Sequence, residues 1–195
     1  MPVDKPQTFL NWQKADFSEP FNGHFVQFYH YDHGLIGHLE EFIAPGLRRG
    51  DSCIVIATQN HLLLLEQSLT AAGLNLPSAK RCGQYVALDA EAALARFMVK
   101  GQPDRERFWA SIGSLVSFYA GRGRPIRAFG EMVALLWKTG NLQGALKLEG
   151  FWNELAKKHS FTLFCAYPQN HFDMDIHRPA IDEISRLHSH VTVPA

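Results

Sequence analysis

The chain has 195 residues, enough for one well-buried domain with a flanking arm but not for a second core. Lys and Arg number 19, equal to Asp and Glu, so no net positive field points to nucleic acid or an anionic membrane surface. Hydrophobic residues at 46% and aromatics at 12% exclude a disordered chain, and the longest apolar run is far short of the roughly 20 residues that span a bilayer.

Residues 1–22 carry Pro2, Pro6 and Pro20 without a sustained period and read as an arm that packs through Phe9, Trp12 and Phe17. The main α/β domain is expected over 23–170, with 171–195 as its C-terminal helix and tail. HFVQFY at 24–29 is the first strand, followed by the loop YDHG and a helix over about 35–49 that Pro45 should kink. A continuous apolar run at 52–57 is a second strand of the parallel-sheet type. Thr58 or Asn60 caps a helix that ends at Ala72 before Gly73. A third strand is expected at 85–88, a helix capped by Asp89 over 90–99, a turn and cap at 101–104, and a helix with Phe108, Ile112, Leu115 and Tyr119 on one face. Then come a strand at 126–131, a helix, a tight turn, a second helix over 142–156, a strand at 161–167 and a terminal helix over about 179–188. Strand alternating with helix five times predicts a three-layer α/β fold: a mostly parallel central sheet of at least five strands with helices on both faces.

Two elements carry charge where only apolar residues belong. In the 126–131 strand Arg127 and Glu131 share a face with Phe129, and such a strand is covered on both sides. In the 142–156 helix Glu149 falls inside the stripe of Leu142, Ala145, Leu146, Trp152, Leu155 and Ala156, with Asn153 beside it. Buried carboxylates need partners. They are either a structural Arg–Glu pair or the polar groups of a ligand pocket. Tyr29, Phe129, Trp137, Trp152 and Tyr167 either line a small cavity around them or form an aromatic core.

Other chemistries find less support. The loop after the first strand, YHYDHGLIGH, has no GxxxxGK[ST] and no Lys for phosphates, which disfavours nucleotide hydrolysis. His30, Asp32 and His33, with His38 one turn on, offer metal ligands, but without the rigid spacing of a helical HExxH, and no metal site is assigned. His24 reads as a capped strand-start residue, while His171, His177, His188 and His190 read as terminal surface residues. Cys165, flanked by Phe164 and Ala166, reads as packing rather than a nucleophile. With no basic leader before an apolar core and an odd, scattered set of Cys53, Cys82 and Cys165, reduced thiols and a cytoplasmic location are expected.

HFVQFYHYDHGLIGHLEEFIAPGLRRGDSCIVIAT, RAFGEMVALLW, LEGFWNELA and FTLFCAYP, in that order, resemble the MEDS domain, the methanogen/methylotroph sensory domain, over about 24–168. The resemblance implies a ligand-sensing module of signalling proteins, joined to histidine kinase or DNA-binding parts and proposed to sense simple hydrocarbon derivatives. It implies a RecA/KaiC-like fold that has lost its P-loop, no enzyme activity and no cofactor. The family's characteristic positions fall on His24, Tyr29, Gly130, Glu131, Met132, Glu149 and Cys165, Ala166 and Tyr167. Candidate ligand contacts are then His24, Tyr29, Arg127, Glu131, Glu149 and Tyr167. The sequence to Ala195 shows no phosphoacceptor helix, ATP lid or helix-turn-helix, so output is expected from a signalling partner such as a histidine kinase or regulator, with homodimerisation open. The competing expectation is a protein-interaction regulator with no small ligand, docking through exposed Phe151 and the LLLLEQSL run; a third is an ATPase relic.

Overall fold

Ser-Cys-Ile-Val-Ile-Ala of β3 (Ser52–Ala57) is buried at every position, which requires layers on both sides of it. The computed structural model places this strand inside a seven-stranded sheet and describes residues 8–9, 22–169 and 174–192, with 8–9 and 174–177 by backbone alone. In chain order the strands are β1 (Thr8–Phe9), β2 (Gly23–Tyr29), β3, β4 (Tyr85–Asp89), β5 (Met98–Val99), β6 (Gln102–Pro103), β7 (Ile126–Gly130), β8 (Thr162–Pro168) and β9 (His190–Thr192). The main sheet runs β1-β9-β2-β8-β7-β3-β4, and every neighbouring pair in it is parallel.

One face is covered by α1 (Asp32–Arg49), α2 (Gln59–Ala71) and α3 (Leu76–Arg81), which bury Leu35, Leu39, Phe42, Ile43, Leu65 and Leu69 against Phe129 and Phe164. The other is covered by α4 (Ala90–Ala95), α5 (Arg105–Phe108), α6 (Ser114–Ala120), α7 (Met132–Lys138), α8 (Leu142–Lys158) and α9 (Met174–Leu187). There Phe108, Trp152, Leu148 and Ile184 pack on Val26, Leu163 and Tyr167. The predicted three-layer α/β architecture is therefore observed. Among the described residues no helix is long and apolar enough to cross a membrane.

Several local expectations change. α1 continues through Pro45 to Gly50, whose φ of 96° ends it; burial of Phe42, Ile43, Gly46 and Leu47 around the proline offsets a penalty of about 3 kcal/mol. The predicted 90–99 helix stops at Ala95, and β5 and β6 form an antiparallel hairpin turning at Lys100 and Gly101, with φ of 49° and 78°. Phe97 anchors this turn in the core. Trp109–Gly113, between α5 and α6, is a π-helical turn. The tail read as HSHVTVP supplies β9, which pairs with both β2 and β1. α9 begins at Met174, ahead of the predicted 179. The side chains of Phe9, Trp12 and Phe17, and His171 and His177, lie outside the described residues.

Candidate functional site

The six candidate contacts do not meet in one place. Arg127 lies near the amino end of β7, where its Nε donates to Asp51 Oδ2 at 2.9 Å and its Nη1 to the Phe42 carbonyl at 2.8 Å. Its guanidinium stacks 5.6 Å from the Phe42 ring centroid, and Arg49 grips the same Asp51. The expected pairing of Arg127 with a glutamate is corrected: the turn Gly50-Asp51 brings a nearer carboxylate, itself buried, to the strand.

Glu131 and Tyr29 meet at the carboxyl ends of the strands, where open α/β sheets bind ligands. Glu131 follows β7, and its backbone N–H bonds to the Ile56 carbonyl at 2.8 Å, extending the ladder to β3. The strand's alternation puts its fully buried carboxylate on the face of Phe129. Oε2 accepts from the Thr58 N–H at 2.8 Å, at the amino terminus of α2, where a negative charge is favoured. Oε1 lies 2.9 Å from His61 Nδ1, and His61 Nε2 lies 3.4 Å from Asp32 Oδ1. His61 is buried, whereas the Asp32 side chain is 55% exposed, so the chain of three leads from the interior to the mouth. Tyr29 lies edge-on to His61, ring centroids 6.4 Å apart, and among the described residues its buried hydroxyl has no hydrogen-bond partner. Burial raises the Tyr29 pKa, and the charges of Glu131 and Asp32 raise it further, so the phenol stays protonated.

Burial pulls the His61 pKa down, but the hydrogen bonds and charges of Glu131 and Asp32 outweigh it and leave it above its ordinary value. A histidine whose folded pKa exceeds its unfolded one stabilises fully below the unfolded value, about 6.5, and loses this as pH rises through the folded value. The stability difference between wild type and His61→Gln is thus expected to be largest below about pH 6.5 and to shrink at higher pH. Urea unfolding of both proteins across this range checks it; a gap that widens with pH would contradict the assignment.

Glu149 stands on the opposite face of the sheet, under α8. Its Oε1 accepts from the Tyr167 hydroxyl at 2.6 Å. Its Oε2 is 3.3 Å from His24 Nε2, 3.5 Å from His188 Nε2 and 3.7 Å from Cys165 Sγ. Burial pushes the Glu149 carboxyl up, but the surrounding imidazoles and the Tyr167 hydroxyl reverse this and hold it at about 2. Burial beside His24 lowers His188 to about 3, so His188 is neutral at pH 7, and the Tyr167 hydroxyl donates to the carboxylate. Burial raises the Cys165 thiol, as does the adjacent carboxylate.

The structure thus joins His24, Glu149 and Tyr167 on one face, joins Tyr29 and Glu131 at the strand ends, and sets Arg127 apart. A single cavity ringed by Arg127, Glu131 and Glu149 is not what the fold builds, because Glu131 points to the α1–α2 face and Glu149 to the other. Sequence reasoning missed His61, whose signal was a histidine one turn into a helix with an apolar run. It also missed His188, read as a surface residue; the alternation of the following HVT was the sign that a strand would bury it. His30 and His33 are exposed, His38 Nδ1 lies 2.5 Å from Gln27 Nε2, and these loop histidines do not cluster with Asp32 as metal ligands among the described residues. Phe151, expected as an exposed docking residue, is buried against Phe108 with ring centroids 5.5 Å apart.

No curated protein matches the chain. A family model, described as "MEthanogen/methylotroph, DcmR Sensory domain" (MEDS), matches residues 23–189, which takes in all strands of the sheet except β1 and β9. With that span covering most of its length, this chain belongs to the MEDS family of sensory domains.

Proposed function

We propose that this sensory domain binds a small polar organic molecule at the strand-end group of Tyr29, Asp32, His61 and Glu131, and relays it to a cytoplasmic signalling partner. The observation that carries the reading is the buried Tyr29 hydroxyl: a donor with no partner among the described residues, beside a relay that opens to solvent at Asp32. An acceptor oxygen on the guest would satisfy that hydroxyl, whose desolvation otherwise costs about 1–3 kcal/mol. Glu131 is also the residue from which α7 starts, so a change in its hydrogen bonds bears directly on that helix. A guest shifts the domain's equilibrium only by its difference in affinity for two states, and α7 is the element joined directly to Glu131. The scaffold is read as RecA-like without a P-loop. Asp32 sits in the first turn of α1, where a phosphate would need positive potential, so ATP is expected to give no thermal shift.

Tyr29→Phe tests the site. Removing an unsatisfied buried hydroxyl is expected to stabilise the free domain by up to about 1 kcal/mol while abolishing the thermal shift given by short alcohols, aldehydes or amides. A variant that loses stability and keeps the shift would remove Tyr29 from the site. The alternative of a ligand-free docking module has lost its Phe151 anchor, and of the leucines in the LLLLEQSL run only Leu63 is exposed.

A further inference from the structure

The Glu149 group has a property that the sensing reading does not use: its inward-facing atoms are nearly all acceptors. His24 Nδ1 lies 3.0 Å from Asn153 Oδ1, and the Asn153 amide is oriented by donating to the Leu187 carbonyl at 2.9 Å. His24 Nδ1 therefore carries the proton, and in the neutral ring Nε2 presents a lone pair. His188 Nδ1 lies 2.6 Å from the Ile184 carbonyl, which can only accept, so its Nε2 also presents a lone pair. Among the described residues that nitrogen has no hydrogen-bond partner, although its side chain is fully buried. Glu149 uses Oε1 for Tyr167 and turns Oε2 inward. Cys165 Sγ, 3.3 Å from His24 Nε2, brings one proton to a meeting with three acceptors.

We propose that His24, Glu149, Cys165 and His188 form a closed four-ligand site for a divalent cation of the zinc type. One donor atom from each residue lies within 4.8 Å of the others, and all four residues are buried. A tetrahedral ion with bonds of about 2.0–2.3 Å spaces its ligands about 3.3–3.8 Å apart, which four of the six separations, 3.3, 3.5, 3.7 and 3.3 Å, already match, and the rest close from at most 4.8 Å on uptake. Two imidazoles, a thiolate and a carboxylate suit zinc over calcium or magnesium. Asn153, the Ile184 carbonyl and Tyr167 supply the outer hydrogen bonds that set each ligand's orientation. Uptake expels the thiol proton of Cys165 to water, the other three groups coordinating as they stand. Four protein ligands leave no open position, so the ion ties β2, α8, β8 and the α9–β9 junction together rather than performing chemistry. The site is on the opposite face of the sheet from the strand-end group, and the two proposals stand independently.

Tag-free full chain, stripped with chelator and titrated with Co²⁺, is expected to take up one ion per chain and show tetrahedral ligand-field bands with a thiolate charge-transfer band. Zn²⁺ at a hundredfold excess over Kd is expected to raise the unfolding midpoint by about 5–10 °C. Cys165→Ser should lose the charge-transfer band and His188→Gln should weaken uptake at least tenfold, while Cys82→Ser, at an exposed thiol, should bind as wild type. Should the Cys165 or His188 variant not fold, X-ray absorption of the loaded wild type decides: a shell of one sulfur with imidazole nitrogens supports the site. A shell without sulfur, uptake below stoichiometric, or a proton as the sole occupant with no thermal shift from Zn²⁺ overturns it.

Discussion

Asp51→Ala is expected to destabilise the domain by about 3–5 kcal/mol, because it leaves the Arg127 guanidinium charge buried without its carboxylate. Both side chains are about 2% exposed or less, and the pair is held at 2.9 Å. At 2–4 °C per kcal/mol for a chain of this size, the unfolding midpoint should fall by about 6–20 °C. The double variant Asp51→Ala/Arg127→Met should recover most of the loss, since removing a buried pair together is far cheaper than breaking it. If the double variant is as unstable as the sum of the singles, the pair is not the source of the effect. Gly46→Ala is a milder probe of the same spot: a Cβ there would come within 2.6 Å of Arg127 Cδ and 2.7 Å of Nε, atoms that the ion pair holds in place. Overpacking of this kind costs about 1–3 kcal/mol.

Glu131→Ala is expected to cost about 2–4 kcal/mol and to erase any thermal shift from a strand-end ligand. The truncation strands the Thr58 N–H at the start of α2 and leaves His61 facing no carboxylate on its inner side. Glu131→Gln keeps an acceptor for Thr58 and should lose only about 1 kcal/mol. It should also flatten the His61-linked pH dependence, because much of what raises that histidine's pKa is the Glu131 charge and hydrogen bond. Chemical unfolding of both variants at pH 6 and pH 8, with thermal shifts against the alcohol, aldehyde and amide panel, separates the structural from the sensing role. A Gln variant that binds as well as wild type would leave Glu131 a structural residue alone.

The buried charges were legible as charges. Arg127, Glu131 and Glu149 each broke an apolar period, and all three are buried to 2% exposure or less. The five predicted strands were legible too, from runs such as CIVI and FTLFC that only a doubly covered sheet tolerates. The partners were not. Arg127 finds Asp51 76 residues away, and Glu131 finds His61 70 residues away. β9 and the π-helical turn were also missed, since three residues of alternation and one extra residue in a helix leave little pattern to read.

What the chain by itself determined is which side chains go inside, because periods of 2 and 3.6 are local properties that burial alone enforces. The tertiary structure decided which of them touch. Parallel strands β2, β8 and β7 become neighbours only when the sheet is ordered, and one residue's difference in parity sends Glu131 and the Cys165–Tyr167 pair to opposite faces. That ordering splits the polar residues into an ion pair, a strand-end relay and a buried four-residue cluster, because a carboxylate in a dry interior is satisfied by whichever groups the topology brings within about 3 Å.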